Sequence, residues 1–179
     1  MNKKYFNFVI ENFKQFHMTS LVLLIGVSGS GKSTWIKNNK SKWNNTVVIS
    51  PDEIRRELTG DVSDQSRNKE IFEISKMLII HNLKKGKNVI VDATNLDTIY
   101  RIPFVDDITN EVEELKKIAL VFYVSREEAI QRIKIDIENN VDRSNVPEDI
   151  IDSQYQKYMD TLKSLPEEGF KIVTTWNEN

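Results

Sequence analysis

The residues with the clearest capacity for chemistry lie between positions 26 and 33, where the sequence reads GVSGSGKS and fits the spacing G-x-x-x-x-G-K-[ST]. Glycine lacks a Cβ atom, so this backbone can adopt positive φ and turn its N–H groups toward a polyphosphate at a helix N-terminus. Lys32 would reach the terminal phosphates, and the Ser33 hydroxyl would bind Mg²⁺. The pattern predicts a phosphate-binding loop. The alternative is a Gly/Ser-rich turn without a ligand.

The residues expected to hold the nucleotide share a place on this loop or on the first turn of the following helix. ATP, or another nucleoside triphosphate, is the expected ligand, together with Mg²⁺. The predicted set is Gly26, Ser28, Gly29, Ser30, Gly31, Lys32, Ser33 and Thr34.

The flanking sequence favours the loop over a simple turn. Residues 21–25 form an apolar run without alternation, which is typical of a strand buried on both faces of a parallel sheet, and residues 33–40 are compatible with a helix. Further strands are predicted at residues 46–49, 89–92, 118–124 and 170–176. Helices are predicted at about 50–60, 66–85, 98–107, 125–138 and 147–165, with Glu111, Glu113 and Glu114 on a connector.

Strands that alternate with helices predict an α/β fold of three layers. We expect a P-loop NTPase fold with a mainly parallel sheet of about five strands and a helical lid. Ligands bind at the carboxyl ends of such strands. Gly26, Ser50, Asp92 and Ser125 follow four of the predicted strands and should therefore surround one crevice.

Composition restricts the function classes. The chain has 179 residues, no cysteine and a net charge of −2, so disulfides, thiolate nucleophiles and broad electrostatic wrapping of a duplex are not expected. A cytoplasmic setting without membrane insertion is the expectation. Residues 1–18 are predicted to form an amphipathic extension, with apolar side chains at helical spacing, and residues 19–179 the P-loop kinase domain.

Asp52 and Arg55 begin the helix after the second strand. Phosphoryl transfer to a hydroxyl needs an acceptor for the hydroxyl proton, and Asp52 could supply it. Arg55, three residues further on the same helical face, could hold a phosphate through its planar guanidinium. The alternative is that Asp52 only complements the helix dipole.

Asp92 ends the predicted strand at residues 89–92, which is a usual place for an acid that holds Mg²⁺. Thr94 and Asn95 follow in the same crevice and could orient Asp92 or the acceptor. The alternative is a strand-end aspartate that caps the next turn.

A basic group lies in the last third of the chain, on a helix and the loop beyond it. A segment of this kind can close over a nucleotide and bring an arginine to the developing charge. For each residue taken singly, a solvated helix face is the better interpretation, but for the group at least one catalytic arginine is expected. The group consists of Arg126, Arg132, Lys134 and Arg143.

Together these residues resemble the 5′-polynucleotide kinase family, the phosphate-loop enzymes that phosphorylate 5′-OH ends of RNA or DNA. The resemblance spans about residues 21–165 and is carried by residues 26–33, the Asp52/Arg55 pair, the VDATNL segment at 91–96, Arg101, the Val-Pro pair at 146–147 and Tyr155.

The resemblance implies roles for individual residues. Asp52 would be the general base on the ribose 5′-OH, Arg55 would bind the 3′-phosphate of the terminal nucleotide, and Thr94, Asn95 and Arg101 would lie on the substrate side. Lys32 and Ser33 would hold ATP and Mg²⁺, and Arg132 and Arg143 would be the lid arginines on the donor phosphates.

The resemblance also implies partners. The chain would be a free-standing kinase domain that acts on 5′-OH RNA or DNA ends, as a homo-oligomer or beside a separate phosphatase or ligase.

Two other functions remain open from the sequence. One is a small-molecule kinase of related architecture, acting on a nucleoside, sugar or antibiotic hydroxyl or resembling a zeta toxin. The other is a nucleotide-binding module without transfer activity. A basic open channel beside Asp52 would favour polymer ends, whereas a closed pocket would favour a small substrate.

Overall fold

The structure, a computed structural model, describes residues 18–141, 143 and 146–175. The predicted helix within residues 1–18 and the end of the last predicted strand at Trp176 lie outside these residues. In chain order the elements are β1 (Ser20–Ile25), α1 (Lys32–Asn39), a 3₁₀ turn (Lys40–Lys42), β2 (Thr46–Ile49), α2 (Pro51–Thr59), α3 (Asn68–Lys84), β3 (Asn88–Val91), α4 (Thr98–Glu111), β4 (Lys116–Phe122), α5 (Arg126–Glu138), α6 (Glu148–Ser164) and β5 (Lys171–Thr175).

The five strands form one sheet in the order β2-β3-β1-β4-β5. Each neighbouring pair is parallel, and β1 at the centre pairs with both β3 and β4. Every residue of β1 is buried, because helices cover both faces of a sheet built from crossover connections. The predicted parallel α/β sheet is confirmed.

The two faces of the sheet carry separate apolar cores, which gives three layers. Because side chains alternate along a strand, Leu21 and Leu23 join the core beneath α3, α4 and α6, whereas Val22 and Leu24 join the core on the opposite face. On that second face the ring centroids of Trp35 and Trp43 are 5.0 Å apart.

Local capping follows the sequence signals. The Ser50 hydroxyl accepts a hydrogen bond from the Glu53 N–H at 3.4 Å with Pro51 in the first turn, and the Ser125 hydroxyl accepts one from the Glu128 N–H at 3.2 Å. These contacts confirm the starts of α2 and α5, because each satisfies a backbone donor at a helix start.

One boundary prediction is wrong. Helix α4 continues to Glu111 with Pro103 inside it, so Glu111 is helical and does not lie on a connector. Its carboxylate accepts a hydrogen bond from Lys84 on α3 at 2.6 Å. This contact between neighbouring helices holds the last turn of α4, which the sequence pattern around residue 107 does not reveal.

Helices α5 and α6 form an arm beside the carboxyl end of β4. Ile130 and Ile133 of α5 pack against Ile151 of α6 in a small apolar core of their own. In the described part of the chain, none of the helices has the length and apolar character needed to cross a bilayer.

Candidate active site

The GVSGSGKS segment forms the connection between β1 and α1. Gly29 and Gly31 have φ of 78° and 91°, a region that L side chains rarely adopt. A Cβ atom on Gly29 would also lie 2.7 Å from the Ala129 carbonyl oxygen on α5. The loop therefore requires glycine at position 29 for two reasons, and it ends at the N-terminus of α1, as the phosphate-loop interpretation predicts.

Lys32 is buried under the loop. Its ammonium donates to the Gly26 carbonyl at 2.9 Å, the Val27 carbonyl at 2.8 Å and the Ser30 hydroxyl at 3.3 Å. Burial lowers the pKa of Lys32 to about 8, with the negative charge of Asp92 opposing the shift and the positive charge of Arg143 adding to it. The ammonium thus lies at the base of the loop, and its charge is sensitive to nearby groups.

Ser33 and Asp92 meet where α1 begins and β3 ends. The Ser33 hydroxyl donates to the Asp92 carboxylate at 3.1 Å. Burial raises the pKa of Asp92, and the Lys32 ammonium and the Ser33 hydrogen bond oppose that shift.

This pair fits a magnesium ion, because Mg²⁺ prefers hard oxygen ligands and commonly takes one or two from protein beside water and phosphate oxygens. No cluster of three or more His, Asp or Glu side chains that could hold a metal ion occurs among the described residues. Ser33 and Asp92 would therefore share the ion with a bound polyphosphate.

Asp52 and Arg55 lie on the first turns of α2, next to the end of β2. The Arg55 side chain is 6% exposed and its guanidinium contacts the Asp52 carboxylate, whereas the Asp52 side chain is 58% exposed. A second guanidinium nitrogen donates to the Asn68 side-chain oxygen at 3.1 Å. Arg55 is therefore fixed from two sides, and it holds a carboxylate that remains open to solvent.

Asp52 belongs electrostatically to the phosphate-loop crevice. Its negative charge raises the pKa of both Lys32 and Asp92. An effect of this kind requires that the three groups lie near one another. The structure thus brings the predicted base and the predicted phosphate-binding lysine to the same edge of the sheet.

Thr94 and Asn95 connect the carboxyl ends of β1 and β3 through hydrogen bonds. The Thr94 carbonyl accepts a hydrogen bond from the Gly26 N–H at 3.3 Å. Asn95 has φ of 51°, and its side-chain amine donates to the Leu24 carbonyl at 2.9 Å and the Ala93 carbonyl at 3.2 Å. These contacts of Asn95 support the backbone of the crevice, and its substrate contact stays a prediction.

Arg101, which the resemblance placed on the substrate side, makes an extensive set of contacts within the protein. Its buried guanidinium forms a two-point ion pair with Glu168 at 3.0 and 2.6 Å. It also donates to the Asn95 carbonyl at 2.6 Å, the Thr161 hydroxyl at 3.2 Å and the Ser164 hydroxyl at 3.0 Å. These contacts use all five N–H donors of the group. Arg101 therefore anchors the Asn95 turn to α6, and its place on the substrate side stays a prediction.

The four basic residues in the last third of the chain lie in two different places. Arg132 donates to the Gly29 carbonyl at 3.2 Å and pairs with Glu128, and Arg143 pairs with Asp136 while its charge acts on Lys32. Arg132 thus contacts the phosphate loop, and Arg143 lies close enough for its charge to act on Lys32.

The other two basic residues contact the outer surface of α6. Arg126 pairs with Asp152, and Lys134 donates to Glu148 at 3.1 Å. The role of a lid arginine stays a prediction, for which Arg132 and Arg143 are better placed than Arg126.

A family model described as an AAA domain matches residues 21–161. That match covers most of the chain. The chain belongs to the AAA domain family. Its parallel sheet and loop are those of the P-loop kinase fold.

This AAA domain is similar to one protein named as a polynucleotide kinase and RNA ligase and to a chain of an RNA repair complex. It is 38% identical over 92 residues to a protein of Autographa californica nuclear polyhedrosis virus named "Putative bifunctional polynucleotide kinase/RNA ligase", covering 44% of this chain and 13% of that protein. It matches a chain in the structure of the Pnkp1/Rnl/Hen1 RNA repair complex with TM-score 0.69 and 26% identity, covering 84% of this chain and 47% of that chain. The chain therefore spans less than half of each relative, and the resemblance to polynucleotide kinases is confirmed.

A more distant match shows the fold alone. The PezAT chromosomal toxin-antitoxin system of Streptococcus pneumoniae has a TM-score of 0.60 at 17% identity, with 97% of this chain and 79% of that chain covered. Its likeness carries no information about the substrate of this AAA domain.

Two residues of the site were missed by sequence reasoning. Asn68 holds Arg55, and the Gln154 side chain on α6 accepts a hydrogen bond from the Ser28 N–H at 2.8 Å. Gln154 is 126 residues from its partner. Neither residue belongs to a motif with a known spacing, so only the packing of the helices reveals them.

Proposed function

We propose that this AAA domain transfers a phosphoryl group from ATP to the 5′-hydroxyl end of a polynucleotide, with Asp52 as the general base. The observation that carries the proposal is the exposed Asp52 carboxylate, held by the buried Arg55 in the crevice of the phosphate loop. A module that only binds nucleotide has no use for a carboxylate fixed beside the site where the terminal phosphate would lie.

On the donor side, the loop amides and Lys32 hold the triphosphate. The Lys32 ammonium already lies against the Gly26 and Val27 carbonyls, so it can turn to the phosphates over a short distance. Ser33 and Asp92 would hold Mg²⁺, which when bound neutralises charge on the phosphates. Arg132, already in contact with the Gly29 carbonyl, would stabilise the charge that develops during transfer.

On the acceptor side, Asp52 takes the proton of the attacking hydroxyl. The oxygen of that hydroxyl forms a bond to the terminal phosphorus, and the bond from phosphorus to the departing diphosphate oxygen breaks. Arg55 orients Asp52. The 3′-phosphate of the terminal nucleotide would approach Arg55 from the side on which Asp52 lies. Because the Arg55 guanidinium is nearly fully buried, orientation of Asp52 is its main role.

The relatives favour a polymer acceptor over a small molecule. Two of the matched proteins carry polynucleotide kinase or RNA repair in their names, at 38% and 26% identity. By extension, we propose that this chain works with RNA or DNA ends and that any ligase or phosphatase activity belongs to another domain or another chain.

An acceptor panel tests the proposal. Transfer of the labelled terminal phosphate of ATP would be measured with 5′-OH RNA, 5′-OH DNA, nucleoside 3′-monophosphates, free nucleosides and a sugar, with 5′-phosphorylated oligonucleotides as the matched control. We expect labelling of the 5′-OH oligonucleotides and none of the phosphorylated controls. Transfer to free nucleosides or the sugar at higher kcat/KM than to the oligonucleotides would show a small-molecule kinase instead.

A further inference from the structure

Gln154 lies outside the residues that the proposed chemistry uses, yet its side chain contacts the phosphate loop. Its Oε1 accepts the hydrogen bond from the Ser28 N–H. A backbone N–H can only donate, so the oxygen end of the carboxamide must face the loop. The amine end of the same planar group then lies beside the loop with two further N–H donors.

The position of Gln154 is set by its neighbours on α6. Ile151, one turn before it, is buried against Ile130 and Ile133 of α5. The Tyr155 hydroxyl, one residue after it, donates to the Val124 carbonyl beyond β4. Burial raises the pKa of Tyr155 to about 12, so this hydroxyl keeps its proton and remains a donor at neutral pH. Gln154 is therefore held in place by contacts on both sides.

The side chain at position 154 is uncharged, and this bears on the binding of a triphosphate. The Lys32 ammonium donates to the Ser30 hydroxyl and Arg132 donates to the Gly29 carbonyl, so positive charge that suits a triphosphate lies on the loop next to Ser28. A carboxylate would accept the Ser28 N–H at least as strongly as a carboxamide does. It would also repel a triphosphate, whereas the neutral carboxamide adds donors and no negative charge.

The place of Ser28 on the loop indicates which phosphate is involved. The backbone N–H groups of residues 31–34, at the start of α1, would face the inner phosphates, whereas the Lys32 side chain would reach the terminal ones. Ser28 precedes them on the other limb of the loop. A group bonded to Ser28 is therefore placed toward the terminal phosphate.

We propose that Gln154 is a positioning residue for the donor nucleotide: its oxygen holds the Ser28 segment of the loop, and its amine faces the terminal phosphate of bound ATP. The inference rests on the donor half of the proposed function and not on the identity of the acceptor. It makes the α5–α6 arm part of the donor site.

The test compares ATP and ADP binding in the Gln154→Glu variant, with Mg²⁺ present and displacement of a fluorescent nucleotide as the readout. We expect the Kd for ATP to rise at least about tenfold, because a carboxylate lies against the terminal phosphate, while the Kd for ADP changes by less than about threefold. Gln156→Glu is the matched control, since Gln156 lies on the same helix and is exposed. Equal weakening of ATP and ADP, or no weakening of either, would overturn the proposal.

A second variant separates phosphate positioning from support of the loop. Gln154→Ala removes the acceptor for Ser28, whereas Gln154→Glu keeps it. If Gln154 only supported the loop, alanine would harm ATP binding more than glutamate; our proposal predicts the reverse order. Thermal melting of both variants checks that they fold. Both outcomes are independent of the acceptor panel, so a failed panel leaves this inference intact and a reversed order defeats it alone.

Discussion

Among single residues, Lys32 gives the most direct link between burial and ligand binding. Burial lowers its pKa to about 8, so the free protein loses the ammonium charge as pH rises through that value. A triphosphate binds the charged form preferentially. We predict that the Kd for ATP is nearly constant below pH 7.5 and rises above pH 8, by up to about tenfold per pH unit.

The measurement is a titration of ATP affinity between about pH 7 and 9.5, where the guanidinium of arginine does not titrate. Lys32→Arg serves as the control, because its pH dependence should be flat whatever its absolute affinity. A flat profile for the unaltered protein would show that Lys32 keeps its proton over this pH range, and it would contradict the prediction.

Asp52 shows how far residue types and spacing predict a site. The capping sequence Ser50-Pro51 predicts where α2 begins, and the helical spacing places Asp52 and Arg55 on one face; the structure confirms both. It could not be predicted that Arg55 is buried while Asp52 stays exposed. That difference arises because Asn68, on a different helix, takes the other side of the guanidinium.

At the level of elements, the buried pair between Arg101 and Glu168 joins the start of α4 to the segment that follows α6. Burial alone would raise the pKa of Glu168, but hydrogen bonds from Arg101 and Ser164 outweigh it and lower the pKa below its usual value. Glu168→Gln would leave the Arg101 guanidinium buried without a counter-charge. We predict a loss of about 3 kcal/mol in the free energy of unfolding.

Urea denaturation measures this loss, and Glu111→Gln is the control, because it breaks an exposed ion pair with Lys84 and should cost less than about 1 kcal/mol. The carboxylate of Glu168 binds its proton more weakly in the folded state than in the unfolded state. Its contribution to the free energy of unfolding should therefore be complete at neutral pH and should decline as pH falls below 4.5, the usual pKa of a glutamate. A loss equal to that of the control at pH 7 would contradict the structural role assigned to Arg101.

The same pair shows which element-level features the sequence does not reveal. The resemblance implied a place for Arg101 on the substrate side, and nothing in the sequence pointed to a buried ion pair. Its partner lies 67 residues away, in a turn after α6 that no local pattern connects to it. Buried ion pairs between distant elements depend on the packing of helices, whereas helix starts such as those of α2 and α5 depend on residues within one turn.

At the level of the whole molecule, the fold was predictable because a few strong local signals agree. Apolar runs without alternation indicate buried parallel strands, and the glycine-rich loop identifies the strand before it as the one that leads into the site. The strand order β2-β3-β1-β4-β5 does not follow from those signals. It follows from the way each crossover helix packs on the sheet, which also brings the α5–α6 arm over the loop.

That arm completes the site. Arg132 of α5 contacts Gly29, and Gln154 of α6 contacts Ser28, so two consecutive loop residues are held by the two helices of the arm. Only Arg132 was expected from the sequence, because charge suggests a phosphate ligand and a neutral glutamine does not. In our account, binding of the donor and the position of the arm are therefore linked.

The central claim is that the Asp52 carboxylate removes the proton from a 5′-hydroxyl, and Asp52→Asn tests it most directly, because the carboxamide removes the base while it keeps the size of the side chain and an oxygen that can accept a hydrogen bond from Arg55. The measurement is single-turnover transfer from labelled ATP to a 5′-OH oligonucleotide, alongside the Kd for ATP, with the adjacent Glu53→Gln as the charge-matched control. We predict a rate lower by about 10² to 10⁴-fold, an ATP affinity within about twofold of the unaltered protein and a nearly normal rate in the control. Transfer by the Asp52→Asn variant at the normal rate would contradict the account.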